Sequence, residues 1–125
     1  MAFSPTFEEL RDDLEGELTE FLAGRTRALP EARPLLEEIA RMLRAGGKRI
    51  RPLFCYWGYR AAGGEGRSIV RAAAALELLH TFAIVHDDIM DAADERRGEE
   101  AVHARHGVGV GILVGDLALV LADDA

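Results

Sequence analysis

Residues 76–91 read LELLHTFAIVHDDIMD, and the spacing of their side chains is that of an α-helix. At 100° per residue, His80, Ile84, Asp87 and Asp91 fall within about 60° of one another around the helix axis. An apolar stripe therefore ends in two carboxylates that lie one turn apart, about 6 Å along the axis.

Carboxylates that share one helix face repel each other unless a cation lies between them. Magnesium suits Asp87, Asp88 and Asp91, because it prefers oxygen ligands and is usually completed by water and substrate phosphates. Arg96 and Arg97 follow shortly afterwards, and their forked hydrogen bonds suit the remaining phosphate oxygens. The pattern predicts a magnesium–diphosphate site. The same residues also fit a solvated acidic helix end with a charged loop, and this motif alone does not choose between the two.

The composition is that of a soluble globular protein, and 125 residues allow one domain with a modest core. A net charge of −7 argues against nucleic acid as a partner, although basic residues cluster within residues 44–51. The single cysteine, Cys55, excludes an internal disulfide and is expected to be a small buried hydrophobe in a reducing compartment. The N-terminus has no signal-peptide pattern, and the weakly charged run 108–122 is too short for a membrane span. We therefore expect a cytoplasmic protein.

Apolar residues recur at intervals of three and four along most of the chain, which predicts helices. The first helix begins at Ser4-Pro5, or at Thr6 with Glu9 as a capping box, and Pro30 closes it. Two further helices run from Pro34 to a stop at Gly46-Gly47 and from Pro52 to a stop at Gly63-Gly64, the latter with core aromatics. An alanine-rich helix over residues 67–91 and a last helix over residues 112–125 complete the set.

No segment shows the period-two alternation of a β-strand, so the predicted fold is all-α. Residues 107–116 are rich in glycine, but they lack the Lys-Ser or Lys-Thr pair and the preceding strand of a phosphate loop. Gly107, Gly111 and Gly115 are better explained by close helix–helix contacts or by a loop that enters a helix. The last helix stops at residues 123–125 without a cap, and we expect the chain to be truncated within this helix.

Three motifs together identify a family. GGKRIRP at residues 46–52, DDIMD at 87–91 and RRG at 96–98 resemble the trans-isoprenyl diphosphate synthases, or polyprenyl synthetases, in order and spacing. His80-Thr81 and Gly115-Asp116 match as well. The resemblance implies an antiparallel helical bundle of the isoprenoid synthase type around a deep cavity, usually a homodimer. It also implies that an allylic diphosphate ionises and that its carbocation alkylates isopentenyl diphosphate, with loss of a proton.

The resemblance also assigns roles to individual residues. Asp87 and Asp91 match the catalytic magnesium ligands, with Asp88 in a supporting role, and Arg96 matches the position that grips the allylic diphosphate. The positions that bind isopentenyl diphosphate are matched by Lys48, Arg51, His80 and Arg97. His86, His103 and His106 receive no role. Positive charge around the leaving diphosphate stabilises its developing negative charge, so these roles agree with the chemistry.

Two residues upstream of the aspartates bear on product length. Ala83 lies four positions before Asp87 on the same face, and Phe82 lies about 140° around the helix from that face. Bulky residues at both positions go with a C15 product in the family. One small and one aromatic residue therefore favour geranylgeranyl diphosphate, with farnesyl diphosphate as the second choice.

The chain departs from the family in length, because the second aspartate-rich motif is missing from it. We therefore expect the N-terminal part of one synthase domain, inactive alone, whose uncovered apolar faces pair in a homodimer or a helix-exchanged oligomer. Three alternatives remain open. A class I terpene cyclase shares the aspartate motif but not the basic stretch, and a magnesium phosphohydrolase leaves the basic stretch unexplained. A non-catalytic partner subunit of a heteromeric synthase explains the short length.

Overall fold

The computed structural model describes residues 5–125 and confirms the all-α class. A short 3₁₀ turn, Pro30–Ala32, precedes the second helix. The helices are α1 (Phe7–Ala28), α2 (Arg33–Arg44), α3 (Ile50–Ala61), α4 (Ile69–Met90), α5 (Val102–His106) and α6 (Val108–Asp124). Two very short strands, β1 (Glu95–Arg96) and β2 (Glu99–Glu100), lie between α4 and α5.

Helix α4 is the centre of the bundle and packs against α1, α3 and α6. Among the described residues it is the one helix long and apolar enough to cross a membrane. It nevertheless buries Glu77 and Asp88 together with its apolar residues inside the protein. This packing is that of a core helix in a bundle. Asp87 and Asp88 of the acidic motif lie in the last turn of the helix, and Asp91 is its C-cap.

The helix ends follow the predicted signals closely. Thr6 caps α1 in a capping box with Glu9: the Thr6 hydroxyl accepts from the Glu9 backbone and the Glu9 carboxylate accepts from the Thr6 backbone. The alternative start at Ser4 lies outside the described residues. Helix α2 stops just before Gly46, whose φ of 101° suits glycine. Helix α3 begins two residues before Pro52, which occupies the first turn.

Three expectations about the chain are wrong in detail. Residues 95–100 form a β-hairpin, and its two-residue strands are too short to show any periodicity. Helix α6 begins at Val108, four residues earlier than predicted, because the glycine-rich run is itself helical. In α3 the core takes Tyr56, whereas Phe54 is 75% exposed and Trp57 46%. Cys55 is half-buried and packs against the core.

The hairpin loop consists of Arg97 and Gly98, both with positive φ, at 55° and 80°. Two consecutive residues of positive φ are what a type I′ turn requires, and this turn joins twisted strands without splaying them. The pairing sets Arg96 opposite Glu99. Because the turn is so tight, the side chains of the two consecutive arginines leave the hairpin towards different parts of the molecule.

Candidate functional site

An open cleft of about 200 Å³ is lined by the loop between α2 and α3, the middle of α4 and the hairpin turn. We call it the basic cleft. All four residues predicted to bind isopentenyl diphosphate lie in its lining. The full lining is Gly47, Lys48, Arg49, Ile50, Arg51, Glu77, His80 and Arg97. The structure thus gathers the four predicted residues, which lie up to 49 positions apart in sequence, from Lys48 to Arg97, around one small volume.

His80 lies beside Arg51, with 3.4 Å between its Nε2 and a terminal guanidinium nitrogen. Burial lowers the pKa of His80 below its ordinary value of 6.5, and the positive charge of Arg51 lowers it further. The nearby Glu77 carboxylate acts in the opposite sense without reversing the shift. The imidazole is therefore neutral at pH 7 and gains its charge most readily when an anion enters the basic cleft.

Arg97 reaches across from the hairpin to the C-terminal end of α2, where its guanidinium donates to the carbonyl of Gly46. The same guanidinium lies against Gly47, and a Cβ at that glycine would be 3.1 Å from a terminal nitrogen. Burial lowers the pKa of Arg97, as does the positive charge of Arg49. The crowding of cations around one cleft is unfavourable in the free protein, and it favours an anion with several charges.

Arg49 belongs to the same basic motif but has a different environment. Its side chain is 2% exposed and donates through Nε to Glu15 at 2.7 Å and through a terminal nitrogen to Glu77 at 2.8 Å. A further bond of 2.6 Å reaches the carbonyl of Leu43. Burial alone would lower the pKa of Arg49, but the hydrogen bonds and charges of Glu15 and Glu77 outweigh burial and raise it. The predicted site did not include this residue.

The acidic motif at the end of α4 divides into exposed and buried carboxylates. Asp87 and Asp91 are exposed, whereas Asp88 is 2% exposed. Arg96 donates to both oxygens of Asp88, at 2.5 and 3.2 Å, and this hydrogen bond raises the pKa of Arg96. Arg96 remains one-third exposed. These contacts favour a supporting role for Asp88, which orients Arg96, and its assignment as a magnesium ligand stays a prediction.

Two exposed carboxylates one helical turn apart are hard oxygen donors of the kind magnesium takes together with water and phosphate oxygens. Within residues 5–125 no group of three or more metal-binding side chains is close enough to hold an ion by itself. Asp87 and Asp91 therefore suit an ion that arrives with, or is completed by, a phosphorylated ligand.

A second network, absent from the predicted site, anchors the hairpin to α2. Arg41 donates to Glu38 at 2.8 Å, to Glu99 at 3.0 Å and to the Glu100 carbonyl at 3.1 Å. His106 lies 2.8 Å from the other oxygen of Glu38. Although burial favours the neutral acid, the hydrogen bonds from Arg41 and His106 outweigh it and lower the pKa of Glu38. This network fixes the segment that carries Arg96 and Arg97.

Two other histidines that received no role connect elements around the acidic motif. The Nε2 atom of His86 lies 3.1 Å from the Ile112 carbonyl of α6, and its ring fits against Gly115. The Nε2 atom of His103 lies 2.6 Å from the Ala93 carbonyl, in the loop that follows Asp91. His86 also lies 3.4 Å from a carboxylate oxygen of Asp116 on α6. The backbone carbonyls leave no signal in the sequence, whereas Gly115 in α6 does, because it permits close approach to α4. The expected helix–helix contact at Gly115 is confirmed.

The two residues expected to limit product length lie on α4, and both are half-buried. The ring of Phe82 packs edge-on against His86, with 4.8 Å between the ring centroids. Ala83 lies one helical turn before Asp87. Their effect on product length stays a prediction.

Comparisons with known proteins place the chain in one family. The family model described as polyprenyl synthetase matches residues 33–124. A geranylgeranyl diphosphate synthase from Methanosarcina mazei is 41% identical over 111 residues, which cover 86% of this chain and 34% of that protein. A short chain isoprenyl diphosphate synthase from Methanothermobacter thermautotrophicus is 44% identical over 91 residues, or 73% of this chain and 28% of that protein. The chain thus spans about a third of the length of these relatives.

Solved structures show the same similarity. A crystal structure of a geranylgeranyl pyrophosphate synthase superimposes on 98% of this chain and 37% of its own, with a TM-score of 0.83 and 36% identity. The geranylgeranyl pyrophosphate synthase from Corynebacterium glutamicum, solved with isoprenyl diphosphate and magnesium, has a TM-score of 0.82 and 33% identity over 96% of this chain and 41% of its own.

Proposed function

The chain belongs to the polyprenyl synthetase family, and we propose that it forms the diphosphate-binding part of a prenyltransferase. The reaction joins the allylic group of an allylic diphosphate to isopentenyl diphosphate, gives a longer trans-prenyl diphosphate, and releases inorganic diphosphate and a proton. The observation that supports this proposal most is the basic cleft, where Lys48, Arg51, His80 and Arg97 surround one volume of about 200 Å³. Four donors of positive or potential positive charge in so small a space suit an anion with several charges, such as a diphosphate.

The two diphosphates have separate binding groups in this proposal. The basic cleft takes isopentenyl diphosphate, while Arg96, Asp87 and Asp91 at the end of α4 take the allylic diphosphate. Magnesium held by Asp87 and Asp91 supplies positive charge to the leaving diphosphate when it is bound. Asp88 keeps the guanidinium of Arg96 oriented before the ligand arrives, so less side-chain freedom is lost on binding.

Titration of isopentenyl diphosphate into the 125-residue chain, followed by calorimetry, tests the basic cleft. Arg51→Met should weaken binding by about tenfold or more, because a charge-assisted hydrogen bond to an anion is worth about 1.5–3 kcal/mol. Arg33→Met is the matched control, since Arg33 is exposed at the opposite end of α2 and pairs only loosely with Glu37 at 3.9 Å. Equal effects of the two substitutions would refute the assignment of the basic cleft.

The chain covers about a third of its relatives, and we propose that it binds diphosphate without completing the reaction alone. Incubation with geranyl diphosphate, isopentenyl diphosphate and magnesium, followed by chromatography of the prenyl products, tests this point. Turnover by the 125-residue chain on its own would contradict the proposal.

Geranylgeranyl diphosphate is the product we propose for the complete enzyme, with farnesyl diphosphate as the second choice. Support comes from the small Ala83, one turn before Asp87, and from relatives named for geranylgeranyl products. Ala83→Phe in the complete enzyme should shift the product distribution to shorter chains, because the ring fills space on the face that leads away from Asp87. An unchanged distribution by chromatography would refute the role of Ala83.

Self-association is also proposed, through the outer face of α6. Ile112, Leu113, Leu119 and Val120 on this helix are 40–62% exposed, although they are large and apolar. A second copy would cover them, and sedimentation equilibrium should give a mass of at least two chains. Leu113→Lys should reduce that mass, whereas Thr19→Lys on the exposed side of α1 should not. A monomer at every concentration would refute self-association and favour a non-catalytic subunit with a different partner chain.

A further inference from the structure

Arg49 lines the basic cleft, but its guanidinium is held by groups of the protein itself. Four of the five N–H donors of its guanidinium are used inside the protein. The Nε–H binds Glu15, and one terminal nitrogen binds both Glu15 and the Leu43 carbonyl. The other terminal nitrogen binds Glu77 through one of its two N–H groups. A guanidinium with one N–H left cannot make the bidentate contact by which arginine holds a phosphate.

Glu77 explains why a buried arginine is needed at this place. Its side chain is 5% exposed, it lies one turn before His80 on α4, and it lines the basic cleft. A buried carboxylate at the back of an anion site repels the anion strongly, because little water screens the two charges. Arg49 is the cation in direct contact with that carboxylate, at 2.8 Å.

We propose that Arg49 is a positioning residue of the basic cleft and not one of its diphosphate ligands, because it neutralises Glu77 behind the ligand. The charges that face the ligand then belong to Lys48, Arg51 and Arg97. This inference rests on the proposed function of the cleft. The backbone is consistent with this role. Arg49 has a left-handed φ of 57° just before α3 and is buried, whereas Lys48 and Arg51 on either side of it in sequence are exposed.

The test uses inorganic diphosphate as the ligand and the 125-residue chain as the protein. Calorimetry compares wild type with Arg49→Met and with the double variant Arg49→Met/Glu77→Met, which replaces the ion pair by two apolar side chains. Arg49→Met should weaken binding by about tenfold or more, since it leaves Glu77 without its counter-charge. The double variant should return to within about threefold of wild type, because the repelling charge is gone. A double variant as weak as Arg49→Met would make Arg49 a ligand and overturn the inference.

A second pair of variants keeps the test valid if Arg49→Met does not fold. Glu77→Gln removes the negative charge behind the cleft, and Glu15→Gln removes the other carboxylate that Arg49 binds. Glu15 is half-exposed and does not line the cleft, so it is the matched control. Glu77→Gln should tighten diphosphate binding several-fold, whereas Glu15→Gln should leave it nearly unchanged. Equal effects would overturn the inference.

A measurement without ligand distinguishes failure of this inference from failure of the proposed function. If neither wild type nor Arg51→Met binds diphosphate, the proposed function is wrong. The role of Arg49 can still be tested in that case, because the pKa of His80 responds to the charge of Glu77 without any ligand. The charged groups that act on this ring are Arg51, Glu77, Arg97 and Arg96. By NMR, Arg49→Met should raise the pKa of His80 and Arg49→Met/Glu77→Met should lower it again. An identical pKa of His80 in all three proteins would overturn the neutralising role of Arg49.

Discussion

Gly115 offers a direct test of how α4 and α6 fit together beneath the acidic motif. A Cβ at this position would lie 2.3 Å from Cδ2 and 2.4 Å from Nε2 of His86, more than 1 Å inside ordinary contact distance. The imidazole cannot move away without losing its contact with the Ile112 carbonyl at 3.1 Å and its edge contact with Phe82. Gly115→Ala must therefore displace the ring or separate the two helices.

The expected cost follows from three contributions. Overpacking costs about 1–3 kcal/mol, and the lost hydrogen bond costs about 0.5–1.5 kcal/mol. The higher helix propensity of alanine returns about 1 kcal/mol. Gly115→Ala should thus lower the free energy of unfolding by about 0.5–3.5 kcal/mol in urea titrations followed by circular dichroism.

Gly16→Ala is the control, since Gly16 lies in the middle of α1 with nothing within 4 Å of the added Cβ. It should raise stability by about 0.5–1 kcal/mol. In a His86→Ala background the penalty at Gly115 should disappear, because the ring that causes it is absent. A Gly115→Ala protein that gains stability as Gly16→Ala does would refute this account of the α4–α6 contact.

Three further predictions concern charges. In Glu38, burial favours the neutral acid, but the hydrogen bonds and charges of Arg41 and His106 together outweigh burial and lower the pKa below its ordinary value of 4.5. The stability that Glu38 contributes is present above that ordinary value and is lost as pH falls through the folded-state pKa. Urea titrations should show a flatter acid limb for Glu38→Gln, and an unchanged limb would contradict this. Bound diphosphate should raise the lowered pKa of His80, so that the protein takes up a proton on binding. The binding enthalpy should then differ between two buffers of different ionisation enthalpy, and equal enthalpies would contradict the proton uptake. Arg96→Met should lower the free energy of unfolding by about 1–3 kcal/mol in urea titrations, since buried Asp88 loses its partner. Adding Asp88→Asn to Arg96→Met should restore most of this stability, and no recovery would refute the pairing.

Much of the fold could be predicted because its signals are local. The apolar residues and carboxylates of residues 76–91 predict helix α4 and show which side chains share one of its faces. The capping box predicts where α1 begins, and Gly46-Gly47 predicts where α2 ends. The four basic-cleft residues were identified by family resemblance, and the structure brings them together as expected. Helix α4 supplies His80 to that cleft and the carboxylates at its own end, so one well-predicted element positions much of the candidate site.

The direction of individual side chains could not be predicted, since it depends on contacts between distant elements. Arg49 looks like its basic neighbours in sequence, but its left-handed backbone and the distant Glu15 and Glu77 draw it inwards. His86 and His103 each contact a backbone carbonyl of another element, and such a partner leaves no trace in the sequence. The hairpin could not be predicted either, because strands of two residues are too short to show the alternation of a β-strand. Its turn also uses Arg-Gly in place of the Asn-Gly or Asp-Gly that type I′ turns prefer.

That turn also explains how two consecutive arginines serve different groups. Arg96 ends β1 and binds Asp88 on α4, whereas Arg97 in the turn reaches the carbonyl of Gly46 at the end of α2. An ordinary extended chain would also separate the two side chains, but it would not hold both at fixed positions. The left-handed backbone of Arg97 and Gly98 does so, and Arg41 ties the opposite strand of the hairpin to α2. The hairpin is therefore a second connection, besides α4 itself, between the basic cleft and the acidic end of α4.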